Sequence, residues 1–129
     1  MNIPEDRRYT QNDEWIKLDG ESATVGISDY AQDQLSDIVY FEVSLGEGDS
    51  LSAGDAFGTV ESVKAASDVY APAAGELVAV NAALADTPEA INSDPYGSWM
   101  IKLKLADAAE LDGLMDAAAY KAYIEEREA

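Results

Sequence analysis

The sequence contains neither cysteine nor histidine. Without cysteine there are no disulfides, thiolate nucleophiles or thiolate metal sites. Without histidine it lacks the one side chain that titrates near neutral pH unaided. A Ser/His/Asp triad, a Cys/His dyad and an ordinary zinc site are therefore excluded. Chemistry would fall to carboxylates, to an attached group or to a partner. Basic residues are scarce too: 8 Lys and Arg stand against 26 Asp and Glu, for a net charge of −18 at pH 7. Such a chain repels phosphate backbones and anionic bilayers, so neither nucleic acid nor a membrane is an expected partner, whereas proteins with basic patches are favoured. Solubility alone explains the acidity equally well, and a salt-rich habitat is consistent with it. No apolar run approaches the length of a membrane span. The Met1–Arg8 segment has no apolar h-region and no Arg-rich amphipathic pattern. The expectation is a soluble cytoplasmic protein of a bacterium or archaeon, made without a signal or transit peptide.

What is present suits one packed domain. The 129 residues are 47% apolar, with two Trp and seven Tyr, enough for a single core. Tyr9–Thr10 and Trp15–Leu18 read as short strands, Asp19-Gly20 as a two-residue hairpin signal, and Ser22–Gly26 as the returning strand. Ser28 is placed to cap a short helix through Leu35, with Asp29 in its first turn. Ile38–Val43 reads as a buried strand, followed by Gly46, Gly48 and Gly54 as punctuation. Further strands are expected at Phe57–Ser62, Ser67–Tyr70, Glu76–Val80 and Trp99–Leu105, with a loop or helical turn between Pro88 and Pro95. Residues 107–128 turn rich in Ala, Leu, Asp and Glu, and Leu111, Leu114, Met115, Ala118 and Ala119 fall at helical spacing. Gly113 and the Asp116 region divide this tail into two helices that cover one end of the β domain.

One lysine stands alone. Lys64 is the only base among the 84 residues between Lys17 and Lys102, a stretch that carries 15 acids. A lone lysine of this kind is ordinarily a surface charge balancing neighbours such as Glu61 and Asp68. The context, Gly58-Thr-Val-Glu-Ser-Val-Lys-Ala-Ala-Ser-Asp-Val-Tyr70, places Lys64 exposed at a turn between two antiparallel strands. A long stem on a rigid hairpin suits a swinging arm, and the small neighbours Ala65 and Ala66 leave room for a modifying enzyme. Acylation of the ε-nitrogen removes a charge that so acidic a protein does not need.

GTVESVKAASDVYAPAAGELVAVNAAL (Gly58–Leu84) resembles the lipoylation segment of the glycine cleavage H-protein family. The likeness continues in YTQNDEW (Tyr9–Trp15), VGISDYAQDQL (Val25–Leu35), DIVYFEV (Asp37–Val43), INSDPYG (Ile91–Gly97) and MDAAAYKAYIEE (Met115–Glu126). The resemblance implies a mostly β fold, a barrel-sandwich hybrid of the lipoyl/biotinyl type with short helices and a helical C-terminal tail. It implies one carrier domain over 1–129, with 107–128 as a helical extension packed on it. It also implies lipoate in amide linkage on Lys64. The family carrier takes the aminomethyl group of glycine from the decarboxylating P protein to the T protein, and the L protein, a dihydrolipoyl dehydrogenase, reoxidises it. Glu61, Ser62, Val63, Ala65 and Asp68 are then expected to be read by lipoyl-attaching and partner enzymes. Glu14, Tyr30 and Asp68 are expected to line a cleft sheltering the arm. No catalytic residue and no metal ligand are expected, and the protein is a carrier rather than an enzyme.

The chain departs from the family pattern at several points. Asp13-Glu14-Trp15 stands where His-Glu-Trp is usual, Tyr30 where His is common and Ser36 where Gly is usual. The Pro95–Trp99 loop is one residue shorter, and an insertion falls near Ser44–Gly48. Three rival readings remain at this point. A dehydrogenase lipoyl domain favours Asp-Lys-Ala and a biotin carrier Met-Lys-Met, against Val63-Lys64-Ala65 here. An enzyme working through Glu42 and Glu61 would need the two carboxyls in differing environments. A degenerate H-like interaction module would leave Lys64 unmodified.

Overall fold

The computed structural model describes residues 1–128, so that Ala129, the last residue of the expected domain, lies outside them. Nine strands form two antiparallel sheets, accompanied by short helices. The strands are β1 (Arg8–Tyr9), β2 (Glu14–Asp19), β3 (Ser22–Ile27), β4 (Ile38–Val43), β5 (Ser50–Leu51), β6 (Ala56–Ser62), β7 (Ala66–Tyr70), β8 (Gly75–Val80) and β9 (Ile101–Leu105). The larger sheet runs β1-β2-β3-β9-β8-β5 and the smaller β4-β6-β7. Alternation along β3, β8 and β9 buries Ala23, Val25, Leu77, Ile101 and Leu103, and β6, whose register shifts near its start, adds Phe57 and Val60 to the same apolar core. This is the mostly β architecture, with short helices and a helical tail, that the resemblance implied.

Three local features differ from the sequence expectation, each for a visible reason. The β2–β3 loop is Gly20-Glu21, because Asp19 still pairs with Ser22 and Gly20 takes the positive φ of 66°. Strand β4 is only partly buried. A bulge between Ile38 and Tyr40 puts Ile38 and Phe41 inward and leaves Val39 and Tyr40 exposed. Strand β9 starts at Ile101, because the Trp99 carbonyl accepts from the Asn81 side chain (2.8 Å) and Met100 accepts from the Asn81 backbone. Strand β5 and helix α2 (Ala82–Asp86) had no sequence signal of their own.

Helix α1 (Asp29–Leu35) begins as expected, with the Ser28 hydroxyl accepting from the Ala31 N–H at 3.1 Å. Helix α3 (Ala90–Ser93) fills the stretch between Pro88 and Pro95. The tail divides into a 3-10 turn (Ala108–Gly113) and helix α4 (Ala117–Glu128). Between them Met115 is extended and bridges to Tyr9, which resets the helical phase. The buried face of α4 is therefore Ala117, Tyr120 and Ile124, while Ala118 and Ala119 face solvent. Tyr120 stacks on Tyr9 with ring centroids 4.5 Å apart, in a second cluster with Trp15 and Tyr30.

Helix α1 ends at Ser36 with φ 66° and ψ −149°, a left-handed conformation that glycine adopts freely and serine does not. The residue usual at this position in the family is thus the one the backbone asks for. Ser36→Gly should raise stability by about 1 kcal/mol by releasing this strain. Urea unfolding is the test, with a higher midpoint at unchanged slope expected and a lower midpoint contradicting it.

Candidate functional site

Lys64 is exposed in the turn that joins antiparallel strands β6 and β7. The register is carried to the end of the hairpin by Glu61 opposite Ala66. Ser62 closes the turn: its Oγ accepts from the N–H groups of Lys64 and Ala65, both at 3.1 Å, and its N–H donates to the Ala65 carbonyl at 2.8 Å. The Val63 N–H donates to the Asp37 carbonyl at 3.0 Å, tying the turn to the segment between α1 and β4. The backbone of the lysine is thus held in place while its side chain is exposed. Lys64 Nζ donates to the Gln34 carbonyl at 3.2 Å, at the end of α1.

Gln34 also lines a cavity of about 250 Å³. One wall is apolar, from Ile27, Ala31, Leu35, Val60 and Val69. The polar lining comes from Asp13 and Glu14 at the start of β2, Ser67 and Asp68 on β7, and Arg127 on α4. Glu14 and Asp68, both expected in the cleft, are brought together here. Tyr30 is not among the lining residues. It is buried in the aromatic cluster, where the Arg127 guanidinium lies 4.8 Å from its ring centroid. Helix α1 turns Ala31 and Leu35 to the cavity and Tyr30 to the opposite cluster, a consequence of helical spacing. Of the expected recognition residues, Glu61, Val63, Ala65 and Asp68 are exposed and Ser62 is half-buried.

Sequence reasoning marked Asp13 only as a departure from the family pattern and did not pair it with Arg127. Asp13 accepts from both terminal nitrogens of Arg127, at 2.7 and 3.1 Å, and from the Tyr120 hydroxyl at 2.9 Å. Its φ of 69° is one that aspartate tolerates better than most residues. The partners are over a hundred residues apart, so no local pattern announced the pair.

Glu14 is only 2% exposed. Its Oε1 accepts from the Thr10 hydroxyl and its Oε2 from the Tyr70 N–H at 3.2 Å. Burial outweighs these two bonds, and nearby Asp13 adds to it, so that the Glu14 pKa is pushed up to about 7. Between the ordinary value of 4.5 and about 7, the unfolded chain has released this proton and the folded chain retains it. Stability therefore falls as pH rises through that window, then levels off once both states are ionised. Glu14→Gln should remove this dependence, gaining on the order of 3 kcal/mol relative to the parent from acid to mildly alkaline pH. Urea unfolding of both proteins at several pH values checks it, and a constant difference between them would refute the assignment.

The chain matches the family model described as glycine cleavage H-protein over residues 7–127. It is 53% identical over 125 residues to the glycine cleavage system H protein of Bacteroides fragilis, covering 96% of this chain and 98% of that one. It is 55% identical over 126 residues to glycine cleavage system H protein 2 of Pseudomonas putida, at 97% and 98% coverage. The crystal structure of a glycine cleavage system H protein from Mycobacterium marinum superposes with a TM-score of 0.86 at 36% identity, covering 95% of this chain and 99% of that one. On these grounds the chain belongs to the glycine cleavage H-protein family.

Proposed function

We propose that Lys64 carries lipoate in amide linkage and that residues 1–129 form one carrier domain, with 107–128 packed on it as a helical extension. The chain is the lipoyl carrier of the glycine cleavage system and works with the other components of that system. The observation that carries the site assignment is a single exposed lysine on a braced hairpin turn, its Nζ reaching the rim of a cavity with one apolar wall. When attached, the lipoyl group supplies the sulfur that holds the aminomethyl group of glycine. The residues present fit it. The apolar wall from Ile27, Leu35, Val60 and Val69 accepts a hydrocarbon chain, and Glu14 and Asp68 offer carboxyls to an amine.

Glu14 has a definite part in this reading. With its pKa near neutrality, it is poised to give up its proton and accept a hydrogen bond from a cationic group entering the cavity. Arg127 pairs with Asp13 and offsets its charge, which leaves Glu14 and Asp68 as the carboxyls facing an incoming cation. Tyr30 supports this rim from below, under Arg127, rather than lining the cavity.

The partners we assign are the P protein as donor, the T protein as acceptor and the L protein as oxidant, together with the lipoyl-attaching enzymes. Glu61, Ser62, Val63, Ala65 and Asp68 are the residues those enzymes meet first. The chain itself supplies positioning rather than catalysis. No group of His, Cys, Asp or Glu able to hold a metal occurs among the described residues, and no described helix is long and apolar enough to cross a membrane. The related proteins are bacterial and we place the chain in the cytoplasm.

Lys64→Arg tests the site. Arginine keeps the stem and charge but is not acylated, and exposed substitutions change stability by only about 0.5 kcal/mol. The variant should fold, gain no lipoyl mass and support no glycine-dependent CO2 exchange with P protein. Retained exchange would show that the handle lies elsewhere.

The net charge of −18 generates a second expectation. A carrier visiting several enzymes binds each weakly, and its long-range field acts mainly on the association rate. With a Debye length of roughly 10 Å at 0.1 M salt, screening shortens that reach. Stopped-flow association with P and T proteins should slow markedly from low to moderate salt while dissociation changes less. An association rate that ignores salt would remove steering from the account.

A further inference from the structure

Five large apolar side chains are exposed among the described residues: Met1, Leu18, Val39, Tyr40 and Val63. Three of them, Val39 at 56%, Tyr40 at 43% and Val63 at 67%, sit at the same end of the smaller sheet, beside Lys64. Single exposed apolar residues are ordinary; a cluster next to a site is not. The cause is the β4 bulge. Ile38 pairs with Ser62 and Tyr40 with Glu61, so Val39 has no partner across the sheet. The buried residues Ile38 and Phe41 are then three apart, and both residues between them face solvent. A regular strand would have turned one of the two into the core. The Val63 N–H bond to the Asp37 carbonyl holds the lysine turn against the start of this bulged strand. Beside these residues, Asp37, Glu42 and Glu61 are all exposed, and Lys64 is the only base in this part of the chain.

We propose that Val39, Tyr40 and Val63 form the docking surface for the enzyme that attaches lipoate to Lys64, a partner presenting an apolar seat ringed by Lys and Arg. This rests on the carrier reading above. The choice of occupant follows from where the reaction occurs. The attaching enzyme must bring an activated lipoyl carbon to Nζ itself. Nζ gives up a proton and attacks the acyl carbon, the amide C–N bond forms, and the bond to the leaving group breaks with its electron pair departing on that group. The enzyme's walls must therefore close on the residues beside Lys64. Enzymes acting on the arm's far end work a full arm's length away and need reach no further than the lysine turn, which leaves Val39 and Tyr40 to the attaching enzyme. The acidic rim complements a basic mouth, and the apolar centre supplies area that is released from water on contact.

The test uses a Val39→Ser/Tyr40→Ser double variant, which leaves the lysine turn itself unaltered, with Leu18→Ser as a control at an exposed apolar site elsewhere. Lipoylation by an ATP-dependent lipoate ligase is followed by intact mass. The double variant should raise KM by about tenfold with little change in kcat, while the control matches the parent. After complete lipoylation at high ligase, the double variant should support glycine-dependent CO2 exchange with P protein as the parent does. A KM within about twofold of the parent, with the fold intact by circular dichroism, overturns the proposal. So does a loss of exchange that parallels the loss of lipoylation, which would mark a surface shared with the partner enzymes. A parent chain that takes no lipoate at Lys64 is a different result, and defeats the carrier reading itself.

Discussion

The β6–β7 hairpin holds the backbone of one exposed lysine in a fixed place, and the cavity beside it is arranged around that turn. Val60 and Val69 point into the core from its two strands, which pins the register. A slip of one residue would turn both valines to solvent and misplace Lys64 relative to the cavity. Ser62 then closes the turn through its hydroxyl, so the lysine backbone is ordered although its side chain is exposed. The Val63–Asp37 bond ties this turn to the end of α1, whose Gln34 and Leu35 form the near side of the cavity. The larger sheet gives the hairpin something rigid to pack against.

The cavity shows what such a site costs. A carboxyl as buried as Glu14 gives up hydration that two hydrogen bonds do not replace, which is why its proton is held to near neutral pH. An apolar residue there would stabilise the fold better. Retaining a carboxyl is reasonable where an incoming cation supplies the missing partner.

Strand positions and the Ser28 cap were legible because they depend on local pattern: alternation, β-branched content and a hydroxyl before a helix. Lys64 stood out by its isolation among acids, and its place at a hairpin turn was legible from the strand-like segments on either side. What escaped depended on distance in sequence or on broken periodicity. The Asp13–Arg127 pair joins the start of β2 to the end of α4. The β4 bulge looks, residue by residue, like any buried strand of aromatic and β-branched side chains. The tail's apparent helical stripe through Leu111, Leu114 and Ala118 was false because the extended Met115 restarts the helix in a new phase. Tyr30 was placed on the wrong side of α1, since one residue along a helix is about a quarter turn.

The departures from the family pattern at Asp13 and Tyr30 are not independent. Both meet at one guanidinium: Arg127 is bonded to the Asp13 carboxylate, and its carbon lies 4.8 Å from the Tyr30 ring centroid and 4.9 Å from that of Tyr123. Aspartate supplies a carboxylate whose planar pair of oxygens matches the guanidinium fork, which an imidazole cannot offer. Tyrosine supplies a ring face for the same cation, and its charge state is fixed at neutral pH where that of histidine is not. The result is a clamp that binds the C-terminal helix to the wall of the cavity through one carboxylate–guanidinium pair and two ring faces. Glu14, one residue along from Asp13, is a different case: burial pushes its pKa up to about 7, and its carboxyl lines the same cavity wall that the clamp holds in place.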